Sequence, residues 1–194
     1  GMCMRTDALL GELVDTLKEE GIYDDTAIFV FADHGDFTGD YGLVEKTQNT
    51  FEDCLSRVPF VVKPPASHEV KPRVSDAIVE LVDFSETVYE LTGLDPDYTR
   101  FGKSLLPVLS GETDEHRDAA FCEGGRLEGE RQAMELQSGD PENIAKSAYW
   151  PRISLQRTDE KMYHGKAAMC RTREFKYVRR HYEKDELYDL RSDP

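Results

Sequence analysis

Residues 27–46 read AIFVFADHGDFTGDYGLVEK. The first six are apolar without alternation, which predicts a strand covered on both faces, as in a parallel sheet flanked by helices. Such a strand would deliver Asp33 and His34 to its carboxyl end, where ligands gather in open α/β sheets. Gly35 would let the backbone close on a ligand. An adjacent carboxylate and imidazole are both metal-ligating types, imidazole favouring transition metals over calcium. Asp36, Asp40 and Glu45 follow, but Gly35 and Phe37 break the spacing of an EF-hand loop. The plainer reading makes Asp33 and His34 turn and cap residues and Lys46 a solvated charge. What weighs against it is the composite: an Asp-His pair at a strand end, an acidic loop, and a lysine whose ammonium could meet an anion held by a metal.

Working outward, Leu9, Leu10, Leu13, Val14 and Leu17 mark a helix over 4–20, stopped by Gly21. VPFVVK at 58–63 is a second strand ended by Pro64-Pro65. Ile78, Leu81, Val82, Val88 and Leu91 give a helical face between Ser75 and Leu91. The order helix, strand, loop, strand, helix predicts an α/β fold with part of a mostly parallel sheet flanked by helices. After Pro107 the texture changes. Residues 111–145 are polar, and short β-like pieces at 167–171, 175–179 and 186–190 suggest a small antiparallel α+β appendage. The expected division is therefore a catalytic-type α/β part over 1–110 and a variable segment with a small subdomain over 111–194.

The 194 residues carry 24 Lys and Arg against 39 Asp and Glu, a formal charge of −15. That balance excludes nucleic acid as a partner, since phosphates call for a basic surface. An acidic protein that handles an anion needs a local positive centre, such as a metal ion or a placed lysine. Cys3, Cys54, Cys122 and Cys170 form no CxxC pair, so they are expected to be free thiols and no zinc ribbon is predicted. No run approaches the roughly 18 apolar residues of a membrane span, and the compartment stays open between cytoplasm and periplasm.

The stretch DHGDFTGDYGLVEK, followed by FEDCLSRVPFVVKPP, resembles the late metal-binding segment of sulfatases in the alkaline phosphatase superfamily. Downstream, VSDAIVELVDFSETVYELTGL resembles the family helix, GKSLLPVLSGE its G-x-S-L-x-P-L-L-x-G turn, and CRTREFKYVRR…ELYDLRSDP its C-terminal signature. The resemblance implies that Asp33 and His34 are two ligands of the active-site divalent metal and that Lys46 contacts the sulfate. Many members carry Asn at the position of His34. The Asp-His form also occurs, including among phosphonate monoester and phosphodiester hydrolases; the resemblance to sulfatases makes calcium the leading expectation, and those relatives make manganese or zinc the alternatives. Tyr41 stands where many members have histidine and receives no role. Glu52 and Arg57 match motif positions, as a structural pair or as substrate contacts.

The resemblance also implies a formylglycine nucleophile made from a C/S-x-P-x-R motif, and no such motif occurs in these 194 residues. The early aspartate pair that completes the family's metal site is absent too. The expectation is the C-terminal part of a sulfatase, inactive alone, whose parent hydrolyses sulfate esters, with carbohydrate esters as one substrate class. The rival readings are a phosphonate or phosphodiester hydrolase and a non-catalytic remnant that binds. A partial sheet leaves an open edge, so a homo-oligomer is expected. Arg171, Arg173, Lys176, Arg179 and Arg180 form a basic cluster, read as a solvated strand face paired with local acids. Trp150 could line a sugar site, although a single aromatic usually serves packing.

Overall fold

The computed structural model describes residues 1–130 and 165–193, so Trp150 and His164 lie outside the described residues. The described chain forms two compact units, one from residues 1–33 and 58–117 and the other from residues 34–57 and 118 onward.

In the first unit, helix α1 (Met2–Glu19) realises the predicted apolar stripe. Gly21, at φ +71°, closes it, with the Ile22 amide donating to the Leu17 carbonyl. A left-handed glycine after the last turn satisfies carbonyls the helix leaves open. Strand β1 (Ile28–Phe31) pairs with β4 (Phe60–Lys63). The register runs from Ile28 opposite Lys63 to Phe31 opposite Phe60, and it is antiparallel. The apolar run alone suggested a parallel neighbour. A parallel pair needs a crossover, usually helical, whereas the segment between β1 and β4 belongs to the other unit and returns the chain in the opposite sense.

Helix α3 (Val82–Thr92) lays Phe84 against Phe29 and Phe31, with ring centroids 4.9 and 5.2 Å apart. Those two phenylalanines share a face because strand side chains alternate. The helix begins later than the sequence periodicity suggested. Residues 75–81 are not helical, because the Asp83 carboxylate takes the Glu80 amide at 2.9 Å and starts the helix there. Gly93 in the left-handed conformation ends α3. The chain then passes back along α3 at Gly102, where a Cβ would overlap the Val82 carbonyl. Helix α4 (Leu106–Ser110) follows, with Pro107 in its first turn.

In the second unit, strands β5 (Ala120–Gly124), β6 (Ala167–Arg171), β7 (Phe175–Arg180) and β8 (Glu186–Asp189) form an antiparallel sheet in that order. Its core is Phe51, Ala167, Met169 and Val178, with Cys122 and Tyr188 packed against it. The segment before β4 is bound to this sheet. Asn49, itself buried, donates from Nδ2 to the Gly165 carbonyl at 3.2 Å and accepts from Arg180 Nη1 at 2.9 Å through its backbone oxygen. The Gly125 amide donates to the Gln48 carbonyl at 2.8 Å. The four cysteines are free, as expected. No helix among the described residues is long and apolar enough to cross a membrane.

Candidate metal and anion site

Asp33 directly follows the Ala32 that ends the apolar run after β1, and its side chain is exposed. His34, half-buried, opens the segment that belongs to the second unit. Its Nδ1 lies 2.9 Å from the Gly35 carbonyl oxygen. A carbonyl only accepts, so Nδ1 is the donor of this pair, and in the neutral ring the lone pair then lies on Nε2. That is how a metal-ligating histidine is usually prepared, with the other ring nitrogen donating to a carbonyl.

Gly35 is required by its surroundings. Its amide donates to the Leu55 carbonyl at 2.8 Å, and a Cβ on it would overlap the Cys54 carbonyl oxygen. The backing element is the short helix α2 (Asp53–Ser56), anchored by buried Leu55.

From Asp36 the chain runs through a small hairpin. Strand β2 (Phe37–Thr38) pairs with β3 (Val44–Glu45), Phe37 standing opposite Glu45. The buried Phe37 ring anchors it, in edge contact with Tyr41 at 6.2 Å. Asp40 Oδ2 accepts the Thr38 amide at 3.1 Å, and this hydrogen bond holds its carboxyl below the usual range. Lys46 is half-buried immediately after β3 and makes no ion pair with another described residue. The hairpin register, with Phe37 opposite Glu45, turns the chain back so that Lys46 follows β3 at the end where β2 begins.

The second unit also holds a cavity of about 360 Å³ lined by Asp40, Tyr41, Glu52, Asp53, Cys54 and Lys176. The Glu52 carboxylate beside Tyr41 raises its phenol above the ordinary value. Burial, then the charges of Asp40 and Glu52, push the Cys54 thiol up, so it stays protonated. Tyr41 is held at φ 54°, a conformation uncommon outside glycine. Its place in this cavity had no sequence signal, since left-handed backbone at a tyrosine is set by the loop around it.

The basic cluster pairs with acids, as expected, but it is solvated only in part: Arg173 and Arg179 are exposed, Arg171 and Arg180 are half-buried and Lys176 is buried. Arg180 binds Glu186 at 2.5 Å, and Lys176 is only 5% exposed. Burial, reinforced by the hydrogen bond to Glu186, pushes the Tyr188 phenol up to about 12.

Asp33 and His34 offer a carboxylate oxygen and a prepared imidazole nitrogen, which suit a divalent cation. Among the described residues no group of three or more His, Cys, Asp or Glu gathers to hold one. The chain's residues therefore fit part of a coordination sphere.

Residues 1–94 match the sulfatase family. Over 191 residues the chain is 28% identical to choline-sulfatase of Rhizobium meliloti, covering 97% of this chain and 29% of that protein. It is 26% identical to N-acetylglucosamine-6-O-sulfatase of Bacteroides thetaiotaomicron, covering 98% of this chain and 29% of the relative. The solved phosphonate monoester hydrolase of Agrobacterium radiobacter superposes with a TM-score of 0.73 at 28% identity, over 97% of this chain and 33% of that one. The fold is of the alkaline phosphatase type, and residues 1–94 carry the sequence match to the sulfatases of that superfamily. It spans about a third or less of the length of these relatives.

Proposed function

We propose that this chain is the metal- and anion-binding part of a longer hydrolase of sulfate esters, with Asp33 and His34 as metal ligands and Lys46 as the contact to the sulfuryl group. The observation that carries this reading is the His34 ring, whose Nδ1 stands 2.9 Å from the Gly35 carbonyl oxygen, the arrangement usual for an imidazole that ligates a metal through its other nitrogen. A divalent cation held there supplies positive charge against the oxygens of the anion. Calcium is favoured by the family resemblance, while the imidazole in the donor set suits manganese or zinc. Lys46 adds a second positive charge to an otherwise acidic protein. The similarity to choline-sulfatase and to N-acetylglucosamine-6-O-sulfatase supports sulfate esters, including those of sugars, as the substrate class.

The nucleophile, a formylglycine in the resemblance, and the remaining ligands come from outside these 194 residues. The chain alone therefore binds but does not turn over. The test is a sulfate titration followed at the Lys46 side chain by NMR, in wild type and in Lys46→Met, alongside an assay with 4-nitrophenyl sulfate. A weak saturable response at Lys46 that spares the rest of the acidic surface supports the reading. Its absence, or ester hydrolysis by the pure chain, overturns it.

A second reading, phosphonate monoester or phosphodiester hydrolysis, is favoured by the Asp-His pair and by the phosphonate monoester hydrolase neighbour. The preference of the same site for methylphosphonate over sulfate separates the two.

A further inference from the structure

Arg171 and Lys176 face each other across β6 and β7, so both side chains leave the same side of the sheet. Two like charges directly opposite are unfavourable unless an anion sits between them. Asp53 supplies it. Its Oδ1 accepts from Arg171 Nη1 in an ion pair and lies 3.8 Å from Lys176 Nζ. Lys176 also lies 4.9 Å from the ring of Tyr188, its register partner on β8. Burying an ammonium this deeply is costly unless its partners compensate. An apolar residue would fill the same place without that cost, so packing does not account for the arrangement.

What the arrangement fixes is α2. Asp53 is the first residue of that helix, and two residues on, the Leu55 carbonyl accepts the Gly35 amide at 2.8 Å. Gly35 in turn holds the His34 ring through its own carbonyl at 2.9 Å. The path from the sheet to the imidazole contains one ion pair, half a helical turn and two hydrogen bonds. None of its links is a freely rotating side chain, apart from the paired groups themselves. Removing the Cβ at position 35 is what allows α2 to back the peptide at all.

We infer that Arg171 and Lys176 are positioning residues for His34: the C-terminal sheet, acting through Asp53 and α2, sets the orientation and tautomer of the imidazole. The Asp53 interactions are thus a device of the site, although neither cation touches a ligand. The inference rests on the reading of His34 as a ligand only for its importance; the mechanical link stands on its own and is tested without metal.

The experiment is a long-range proton–nitrogen NMR spectrum of the ¹⁵N-labelled chain, metal-free, at about pH 8.5, above the ordinary histidine range. It is recorded for wild type, Asp53→Asn, Lys176→Met, Asp53→Glu and the surface control Glu123→Gln, which only breaks the exposed pair with Lys166. The expected result is a single Nδ1–H tautomer for His34 in wild type and control. Asp53→Asn and Lys176→Met should give a tautomer mixture with faster exchange of the Gly35 amide, and Asp53→Glu should restore the single form. An unchanged His34 signature in either folded variant overturns the inference. If Asp53→Asn does not fold, Lys176→Met decides by the same criterion. A separate manganese titration of wild type against His34→Gln tests the metal reading. Metal indifference there, with the tautomer shift present, would sink the ligand role and leave the link standing.

Discussion

Asp83 and Arg117 form a two-pronged ion pair within the first unit, Arg117 Nε donating to Asp83 Oδ2 at 3.0 Å and Nη2 to Oδ1. Asp83 is fully buried, and His116 Nε2 with the amides of Glu80 and Lys103 completes its shell at 3.1, 2.9 and 2.8 Å. Through these bonds one carboxylate ties the start of α3 to both later stretches that return to it. Breaking a buried pair by removing one partner typically costs about 3–5 kcal/mol. Asp83→Ala should lose stability in that range in urea unfolding; a loss below about 1 kcal/mol, the scale of an exposed pair, would contradict the role given to it.

The same carboxylate sets an acid limit. Burial pushes its pKa up, but Arg117 and the two amides outweigh burial and hold it below the ordinary aspartate value. A carboxyl with a depressed folded value stabilises fully above its unfolded pKa. That contribution is lost as pH falls through the folded one. Stability should therefore decline below about pH 4, and Asp83→Asn should flatten that limb while lowering the plateau. An unaltered acid limb in Asp83→Asn would assign the decline to other carboxylates.

Two glycines should respond to alanine with opposite signs. Gly11 lies mid-helix in α1 with open space where a Cβ would go. Gly11→Ala should raise stability by about 0.5–1 kcal/mol, read as a higher urea midpoint. Gly35→Ala should lower stability by about 1–3 kcal/mol, the scale of overpacking. It should also weaken any binding at His34, since the added carbon meets α2. Equal effects would mean that α2 yields to the extra carbon.

Much of this was legible before any coordinates. AIFVFA announces a strand, the leucine stripe of 4–20 a helix, and Gly21 and Gly93 their stops, because each signal is local and periodic. The three C-terminal strands were legible for the same reason. β5 was not, since AFCEG is five residues long and sits in a polar stretch where its alternation carries little weight. The pairing sense of β1 and β4 depends on where residues 34–57 go, which no local pattern encodes. Of the site, Asp33, His34 and Lys46 stood out as chemistry at a strand end. Asp53 and Tyr41 did not, and Lys176 stood out only as part of a basic cluster read as solvated: the two charges are ordinary until the sheet register brings them together, and the tyrosine is ordinary until its loop forces it left-handed.

The most direct test of the central claim is paramagnetic broadening of the chain's NMR spectrum by substoichiometric manganese. The account predicts that signals of Asp33, His34 and Gly35 broaden first, and that the effect disappears in Asp33→Asn/His34→Gln. Broadening spread evenly over the carboxylates of this −15 surface, with no preference for His34 and no change in the double variant, would contradict it.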